Sequence, residues 1–351
     1  MADLRVAIIG YGLAGRLFHA PLIAATEGLS LATVVTSDPT RQAQVADEHP
    51  SARVAATPAE LWGLADHDLV VVATPNDAHA PLALAAIDRG VAVVVDKPMA
   101  LTAVEAERVA AASEEAGVLL TVFQNRRWDS DLLTLVRLLS ERRLGQVFRY
   151  ESRFERWRPV TDAEAWRETT PPERGGGQLL DLGSHLVDQA LVLFGPATSV
   201  YAEVDSRRGG AADDDAFVAL SHEGGVISHL RASATTAAPG PRLRVLGSEA
   251  AFVIQGVDSQ EDALRAGRRP NTDPDWGAEP ESHWGRLVRG EDSSPVPSER
   301  GNWPRFYELL AAALRGEGPP PVDPRDAVAT MRVLDAARLS AASSTVVALT
   351  P

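Results

Sequence analysis

Short, largely apolar runs recur through the first third of the chain. They are four or five residues long, rich in valine and bounded by turn residues, and they cover residues 6–9, 31–35, 69–73, 91–95 and 118–122. Runs that are apolar at nearly every position, and not only at alternate positions, indicate strands covered on both faces, as in a parallel sheet. Segments of helical period, including residues 81–89 and 103–115, lie between them. The pattern predicts a doubly wound α/β domain over residues 1–123.

A different period begins at residue 147, where apolar and charged residues alternate as in a strand buried on one face. Further strand-like runs follow at residues 199–204, 216–221, 226–232, 242–246 and 250–254, and two helical segments at 304–314 and 324–342 close the chain. The pattern predicts a second domain of α+β class over residues 124–351, built on a large, mostly antiparallel open sheet. Residues 256–299, rich in Pro, Gly, Asp and Ser, are expected to form a long irregular excursion that helps to shape the site.

A glycine-rich turn follows the first predicted strand. Its sequence is Gly10-Tyr11-Gly12-Leu13-Ala14-Gly15, and it opens an apparent helix. In such a turn the first glycine permits a tight bend, the second lets a pyrophosphate approach the backbone, and the third lets the helix pack closely on the strand. The N-terminus of the helix offers free N–H groups to the phosphates. In this position the turn favours dinucleotide binding over a purely structural role.

An acidic residue is expected about 20 residues beyond such a turn, and Asp38 lies 23 residues after Gly15. A carboxylate there accepts hydrogen bonds from the adenosine ribose and repels a 2′-phosphate, which favours NAD slightly over NADP. Ser37 and Arg41 lie close by and are suited to a phosphate instead. Asp38 followed by Pro39 is also typical of a helix N-cap. The expected cofactor is therefore NAD or NADP, with a slight preference for NAD.

Three more polar clusters stand where predicted strands end. Because ligands of open α/β sheets lie outside the carboxyl ends of the strands, the clusters predict one crevice. The residues expected beside the cofactor are Thr74, Pro75, Asn76, His79, Asp96 and Lys97. The third cluster, residues 124–128, supplies Arg126 and Trp128, with Arg127, as candidates for the substrate side.

Lys97 lies between a buried strand and a proline. A lysine so placed can hold its ammonium group at the reactive ring of the cofactor, and burial or a neighbouring cation lowers the pKa of such an amine. The alternative is a lysine paired with Asp96 at a loop surface.

A helix is predicted from residue 178 to residue 194, ended by Gly195-Pro196. Asp181, His185 and Asp188 form a polar stripe on it, at positions i, i+4 and i+7. The aspartate can orient the imidazole, and a histidine with a pKa near ~6.5 can take a proton at neutral pH. The alternative is a solvated helix face.

Composition excludes several classes of function. The chain has 351 residues, 45% hydrophobic and 23% charged, which is typical of a folded protein of two domains. Its net charge of −14 repels phosphate backbones and anionic lipids, so neither nucleic acid nor membrane is expected as a main partner. The absence of cysteine excludes disulfides, thiolate ligands and cysteine nucleophiles. The polar start runs directly into a strand-like stretch, and a cytoplasmic protein is expected.

These segments, with Gly175-Gly176-Gly177, resemble the Gfo/Idh/MocA family of NAD(P)-dependent oxidoreductases in order and spacing, over essentially the whole chain. Residues 125–131, 181–189 and 260–267 are similar to the scyllo-inositol dehydrogenase branch. The chain departs from the family in having Asp96 where a glutamate is usual, and Asp38 where NADP-using members often have arginine.

The resemblance implies a Rossmann domain followed by an α/β domain whose open sheet often forms a dimer face, so a homodimer or homotetramer is expected. It implies that Lys97, Asp181 and His185 surround the reacting carbinol. The expected activity is hydride transfer between the nicotinamide and a secondary alcohol or ketone of a cyclic polyol or sugar. A redox-silent cofactor-binding sensor and an NAD-dependent glycosidase of the same family remain alternatives. No HExxH motif or similar ligand cluster occurs, so a metal enzyme is disfavoured.

Overall fold

A six-stranded parallel sheet forms the N-terminal part of the protein in a computed structural model that describes residues 2–64 and 66–349. The strand order is β3-β2-β1-β4-β5-β6. The strands are β1 (Leu4–Ile9), β2 (Leu29–Val35), β3 (Arg53–Ala55), β4 (Leu69–Val72), β5 (Ala92–Asp96) and β6 (Leu120–Phe123). All pairs are parallel and the order is that of a Rossmann fold, which confirms the prediction for this sheet. Strand β3 was not predicted from the sequence, because two of its three residues are exposed and give no apolar run.

Helices cover both faces of this sheet. They are a π-helical segment (Ala14–His19), α1 (Ala20–Ala25), α2 (Pro39–Glu48), α3 (Pro58–Trp62), α4 (His79–Ile87) and α5 (Ala103–Ala116). Side-chain caps set where several of them begin: Asp38 accepts from the backbone of α2, and Thr57 and Thr102 accept from α3 and α5. Each cap satisfies an N–H group that has no partner inside the helix.

The second sheet has nine strands in the order β14-β13-β12-β11-β7-β10-β9-β8-β15. The strands are β7 (Val147–Glu155), β8 (Ala197–Asp205), β9 (Asp215–His222), β10 (Ile227–Ser233), β11 (Leu243–Gly247), β12 (Ala251–Ile254), β13 (Gly285–Arg289), β14 (Asp292–Val296) and β15 (Val347–Ala348). Within this sheet, only β7 and β10 pair in parallel among the described strands. The predicted mostly antiparallel sheet is therefore confirmed.

Seven helices accompany this sheet in the described chain. They are α6 (Ser130–Ser140), α7 (Trp166–Thr169), α8 (Gln178–Asp181), α9 (Gly183–Phe194), α10 (Gln260–Arg265), α11 (Pro304–Leu314) and α12 (Pro324–Ser343). Short 3₁₀ turns occur at Asn76–Ala78, Asn125–Trp128, Pro172–Arg174 and Glu281–His283. Within residues 2–64 and 66–349, no helix combines the length and apolar character needed to cross a membrane.

The prediction of one continuous helix over residues 178–194 is wrong, because the helix is interrupted at Leu182. In an unbroken helix the carbonyl oxygen of Asp181 would accept from the N–H of His185. That oxygen instead accepts from Nζ of Lys97 at 2.6 Å and from Oγ of Ser184 at 3.2 Å. Gly183, which has a low helix propensity, follows the break.

The prediction of an irregular excursion over residues 256–299 is also wrong in large part. The segment contains α10 and the strands β13 and β14, which extend the second sheet at its edge. Four of the five residues of β14 are exposed, so this edge strand carries little of the apolar signal by which strands are recognised in a sequence.

The last two helices return to the first sheet. The ring of Phe306 lies 4.9 Å from the ring of Phe123, at the end of β6. The hydroxyl of Thr121 in β6 donates to the carbonyl oxygen of Val322, just before α12, at 2.8 Å. These contacts tie the end of the chain to β6, and so hold the carboxyl edge of the first sheet beside the second part of the molecule.

Candidate active site

A cavity of about 240 Å³ opens at the carboxyl edge of the first sheet, where it meets α8, α9 and α10. Its lining includes seven of the residues predicted from the sequence: Leu13, Ala14, Asp96, Lys97, Arg126, Asp181 and His185. The amine, the carboxylate and the imidazole that were predicted to act together therefore share one cavity.

Lys97 contacts Asp181 directly. Its Nζ donates to Oδ1 of Asp181 at 2.7 Å and to the carbonyl oxygen of the same residue at 2.6 Å. An ammonium group has three donors, so one remains for a ligand. The alternative of a Lys97–Asp96 pair at a loop surface is set aside, because the ammonium group reaches across to the second domain. The Lys97–Pro98 peptide bond is cis.

Asp181 is a carboxylate held by two cations. Besides Lys97, Nε of Arg167 lies 3.2 Å from Oδ1 of Asp181. Burial by itself would raise the pKa of Asp181, but Lys97 and Arg167 outweigh it and hold that pKa well below its usual value. Asp181 is thus ionised at neutral pH.

His185 is almost completely buried, with 4% of its surface exposed. Its Nδ1 lies 2.9 Å from Oε1 of Gln124, the residue that follows β6. An amide oxygen only accepts, so the proton of the neutral ring is on Nδ1 and the lone pair is on Nε2. Burial, together with the charges of Lys97 and Arg126, lowers the pKa of His185 well below its usual value. The ring is therefore a neutral proton acceptor at physiological pH.

Short glycine contacts position α8, which carries Asp181. A Cβ atom on Gly176 would lie 1.8 Å from the carbonyl oxygen of Thr170, and one on Gly177 would lie 1.9 Å from Oδ1 of Asp213. Asp213 accepts from the N–H of Leu179 at 2.8 Å and so caps α8. Burial raises the pKa of Asp213 to about 6. The glycine run therefore allows the backbone before α8 to approach its neighbours closely.

Asp96 stands beneath the cavity beside a buried histidine. Its Oδ1 accepts from the N–H of Lys97 at 3.0 Å and lies 3.8 Å from Nε2 of His19. The other ring nitrogen of His19 is 2.6 Å from the hydroxyl of Tyr307 in α11. Burial would raise the pKa of Asp96, but His19 and Lys97 lower it overall. This arrangement keeps Asp96 ionised and fixes the backbone that carries Lys97.

The glycine turn has the shape that a dinucleotide requires. A Cβ on Gly10 would lie 2.4 Å from the carbonyl oxygen of Ala73, and one on Gly15 would lie 2.0 Å from the carbonyl oxygen of Gly10, so both glycines serve close packing. At Gly12 the nearest atom is Nη1 of Arg41, 4.0 Å away. The space above the middle glycine is therefore open, as close approach of a pyrophosphate demands.

The residues after β2 keep both cofactor alternatives open. Oδ1 of Asp38 accepts from the N–H of Thr40 at 2.8 Å, so the carboxylate caps α2 as its proline neighbour suggested. Its other oxygen lies 3.4 Å from Nε of Arg41. Ser37 lies next to this exposed carboxylate at the same end of β2. A carboxylate and a guanidinium group thus stand together where the adenosine ribose is expected.

Some residues predicted to line the cofactor site have buried side chains with other partners. His79 has no exposed surface; its ring nitrogens lie 2.7 Å from the carbonyl oxygen of Pro98 and 2.9 Å from that of Thr74. The hydroxyl of Tyr11 donates to Glu48 at 2.7 Å, and the amide of Asn76 donates to the carbonyl oxygen of Gly175 at 2.7 Å. These side-chain contacts brace the crevice. The place of the three residues beside the cofactor stays a prediction.

Thr74 and Pro75 connect β4 to α4 beside this crevice. The hydroxyl oxygen of Thr74 is buried and has no hydrogen-bond partner among the described residues. A buried hydroxyl without a partner is costly unless a ligand or water satisfies it, which is compatible with its predicted place beside the cofactor.

The 125–128 turn divides its side chains between the cavity and the core. Arg126 lines the cavity but is already paired, with Asp129 at 3.2 Å and Glu261 at 2.9 Å. Trp128 is absent from the described lining and packs instead on Phe306, with 5.9 Å between ring centroids. The contact of Trp128 with substrate stays a prediction.

Asp188 does not extend the polar stripe into the cavity. It is buried and pairs with Arg127, whose Nη2 lies 2.6 Å from its Oδ1. The kink at Leu182 separates Asp188 from Asp181. His185 lies on α9 with Asp188, but the ion pair directs the carboxylate of Asp188 to Arg127.

Several lining residues were not assigned a role from the sequence: Arg156, Arg158, Arg167 and Glu261. The same is true of Gln124, which contacts His185. Gln124 had a usable signal, since it immediately follows a predicted buried strand at the sheet edge. The arginines had none, because arginine in a loop is usually a surface residue.

The chain matches two family models that together span nearly all of it. Residues 4–124 match the Gfo/Idh/MocA "NAD-binding Rossmann fold" model, and residues 136–349 match its "C-terminal alpha/beta domain" model. It is 39% identical over 335 residues to the oxidoreductase YdgJ of Escherichia coli, covering 95% of each chain. It is 37% identical over 338 residues to scyllo-inositol 2-dehydrogenase (NADP(+)) IolW of Bacillus subtilis, covering 95% of this chain and 92% of IolW.

Solved structures agree with these matches. An oxidoreductase structure from Yersinia pestis superposes with a TM-score of 0.91 at 37% identity, covering 100% of this chain and 98% of that chain. The YvaA structure from Bacillus subtilis gives a TM-score of 0.90 at 34% identity, covering 99% and 100%.

Proposed function

The chain belongs to the Gfo/Idh/MocA family of NAD(P)-dependent oxidoreductases, and we propose that it interconverts a secondary alcohol and a ketone of a cyclic polyol or sugar. The observation that carries the proposal is the 2.7 Å contact between Lys97 and Asp181, in the cavity that His185 also lines. The contact joins an amine from the first domain to a carboxylate from the second. The imidazole of His185 lines the same cavity, beside the open glycine turn. Our leading substrate is an inositol or its inosose, which the similarity to IolW supports.

In this proposal the protein manages one proton while the nicotinamide, when bound, supplies the hydride chemistry. Nε2 of His185 accepts the proton of the substrate hydroxyl during oxidation. The free donor of Lys97 Nζ binds the same substrate oxygen and stabilises negative charge on it. Asp181 keeps the ammonium group charged and in place, and its Oδ2 is available for a neighbouring hydroxyl.

Lysine usage supports a chemical role for Lys97. It is the one lysine among 34 basic residues; the other 33 are arginine. A guanidinium group cannot release a proton at physiological pH, whereas an ammonium group in a cavity can. The lysine at this position is therefore suited to a proton relay.

The residues around the glycine turn suit either NAD or NADP, and we propose a modest preference for NAD. Asp38 supports NAD, since a carboxylate repels a 2′-phosphate. Arg41 favours NADP, as does the similarity to IolW, which is named as an NADP(+) enzyme.

Titration with NADH and NADPH, followed by a panel of inositols and aldoses with the preferred cofactor, tests the function. Absorbance change at the reduced-nicotinamide band is the expected result. Binding of cofactor with no change for any polyol would contradict the proposal.

That assay separates the alternative functions. A redox-silent sensor would bind cofactor and leave free polyols unchanged. A glycosidase would cleave a glycoside with no net reduction of cofactor. Lys97, Asp181 and His185 in one cavity favour the dehydrogenase over the sensor.

Gln124 is expected to set the pH dependence through His185. Because the pKa of His185 is well below its usual value, kcat/KM for alcohol oxidation should stay level as the pH falls through ~6.5, the pKa of an ordinary histidine. Replacing Gln124 with Glu places a carboxylate at Nδ1 of His185, which favours the imidazolium form and raises the pKa of the ring. The fall of kcat/KM on the acidic side of the pH profile should therefore occur at higher pH. The measurement is the profile of kcat/KM against pH, from about pH 5 to about pH 9, a range that includes the pKa of an ordinary histidine.

Gln124→Leu is the matched control, since it removes the acceptor without adding charge. It should lower kcat about tenfold, the effect of one lost hydrogen bond, and leave the acidic limb low. Identical profiles for the Glu and Leu variants would mean that Gln124 does not act through the ring of His185.

We also propose that the outer face of the nine-stranded sheet joins two copies of the chain, in the cytoplasm. Charge pairs lie on this sheet, such as that of Glu151 with Arg153 on β7 and with Arg244 on the neighbouring strand β11. Sedimentation of the whole chain should give the mass of a dimer or tetramer, and a monomer at assay concentration would refute this assembly.

A further inference from the structure

The cavity is more basic than the protein as a whole. Six cationic side chains and four carboxylates line it, although the chain carries a net charge of −14. The excess of cations lines the cavity in which we propose that the substrate binds, so the partner of each charge bears on what the substrate is.

Three of the four carboxylates already hold cations. Asp181 holds Lys97 and Arg167. Glu261 holds Arg126 at 2.9 Å and Arg265 at 2.8 Å. Glu168 holds the buried Arg208, also at 2.8 Å. The fourth carboxylate is that of Asp96, whose Oδ1 lies 3.8 Å from Nε2 of His19. The carboxylates of the cavity are therefore engaged with groups other than Arg156.

Arg156 is the exception among these cations. Its backbone is fixed directly after β7, since its N–H donates to Ser233 at 2.8 Å and its carbonyl accepts from Thr236 at 3.0 Å. Its half-buried guanidinium group faces the cavity and makes no hydrogen bond or ion pair with any residue of 2–64 or 66–349.

The electrostatic surroundings agree with that description. Burial lowers the pKa of Arg156, and the positive charges of Arg158 and Arg126 lower it further, against the opposing effect of Glu261 and Asp181. Holding an unpaired cation among other cations, partly out of water, costs free energy, and an anionic ligand would recover it.

We propose that Arg156 binds an oxyanion on the substrate, so that the preferred substrate is an acidic sugar or polyol, bearing a carboxylate or a phosphate ester. The inference rests on the proposed dehydrogenase function and changes its leading substrate from a neutral inositol to a polyol or sugar that carries an acidic group. The anionic group lies at the Arg156 side of the cavity, while the reacting carbinol lies at Lys97 and His185. A planar guanidinium group can bind either oxyanion through two parallel hydrogen bonds.

The test compares matched substrates that differ only in the acidic group. D-Glucuronate is compared with D-glucose, and myo-inositol 1-phosphate with myo-inositol, each with the full chain and its preferred cofactor. We expect kcat/KM to be about 10- to 100-fold higher for the acidic member of at least one pair, the effect of a charged hydrogen bond. The two pairs distinguish a carboxylate from a phosphate. Equal or higher kcat/KM for the neutral member of both pairs would overturn the inference.

Arg156→Gln should abolish the preference for the acidic member, since the charged contact that distinguishes the two members of a pair is lost. Arg332→Gln, an exposed arginine of α12 paired with Glu107, is the control and should change neither. Binding of NADH and NADPH to Arg156→Gln, without substrate, is measured by fluorescence. If weaker cofactor binding accounts for the whole effect, Arg156 serves a cofactor phosphate and the inference fails.

An equilibrium measurement separates failure of this inference from failure of the proposed function. If no polyol reacts, the same sugars are titrated into the enzyme–NADH complex and the nicotinamide fluorescence is followed. Tighter binding of the acidic members that Arg156→Gln removes would support the inference while the dehydrogenase function fails. Equal binding of both members would overturn the inference.

Discussion

Replacing His185 with Ala, or Lys97 with Met, is expected to lower the turnover of polyol by about 10²- to 10⁴-fold, the usual contribution of a positioned acid or base. The first change removes the only acceptor placed for the hydroxyl proton in this proposal, Nε2. The second removes the ammonium group while preserving most of the side-chain volume. Initial rates at saturating cofactor and polyol, with cofactor affinity measured separately, are the test.

Lys97→Arg sharpens the result. Arginine keeps a positive charge near Asp181 but cannot release its proton. A role in proton relay predicts that Lys97→Arg is as inactive as Lys97→Met, whereas a purely electrostatic role predicts partial activity. Because the chain has one lysine, isotopic labelling of lysine reports on Lys97 alone.

His283→Ala is the matched control for the histidine, since His283 is exposed and pairs with Glu279 outside the cavity. It should leave turnover unchanged. Near-normal turnover of both His185→Ala and Lys97→Met would remove the assignment of these residues to the reaction.

Replacing Gly12 with Val is expected to weaken NADH and NADPH binding by about 10- to 100-fold and to leave the fold intact. A side chain at Gly12 enters open space, with only Nη1 of Arg41 within 4.0 Å, so the folded chain tolerates it. The same side chain occupies the space that a pyrophosphate needs. Fluorescence titration and thermal unfolding of the variant measure the two effects.

Gly15→Val is the contrasting variant. Its Cβ would lie 2.0 Å from the carbonyl oxygen of Gly10, so the turn itself must distort and thermal stability should fall sharply. Unchanged cofactor affinity in a folded Gly12→Val protein would show that the dinucleotide does not approach the turn as proposed.

Much of the architecture could be predicted because its signals are local. A buried parallel strand needs apolar side chains on both faces, and β1, β4 and β5 show this in consecutive residues. The glycine turn is equally local, since its spacing reflects contacts within a few residues. The weak strands β3 and β14 escaped prediction because exposed edges carry no such signal.

The partners of the candidate catalytic groups could not be predicted in the same way. Lys97 and Asp181 are 84 residues apart in sequence, and Gln124 and His185 are 61 apart. Nothing in the local sequence of either residue specifies the other. The same holds for His79, whose polar ring looked available for a ligand but is buried against two backbone carbonyls.

The sequence by itself determined the two-domain order, the Rossmann sheet, the glycine turn and the set of polar residues at strand ends, because backbone hydrogen bonding and burial impose periodic patterns on nearby residues. Only the tertiary structure decided that α8 and α9 break at Leu182, that Lys97 binds Asp181 across the domains, that Gln124 leaves Nε2 of His185 free, and that Arg156 faces the cavity without a partner. These features depend on where distant segments meet, and that is set by the packing of whole elements, such as α11 against β6, and not by the residues beside each group in the chain.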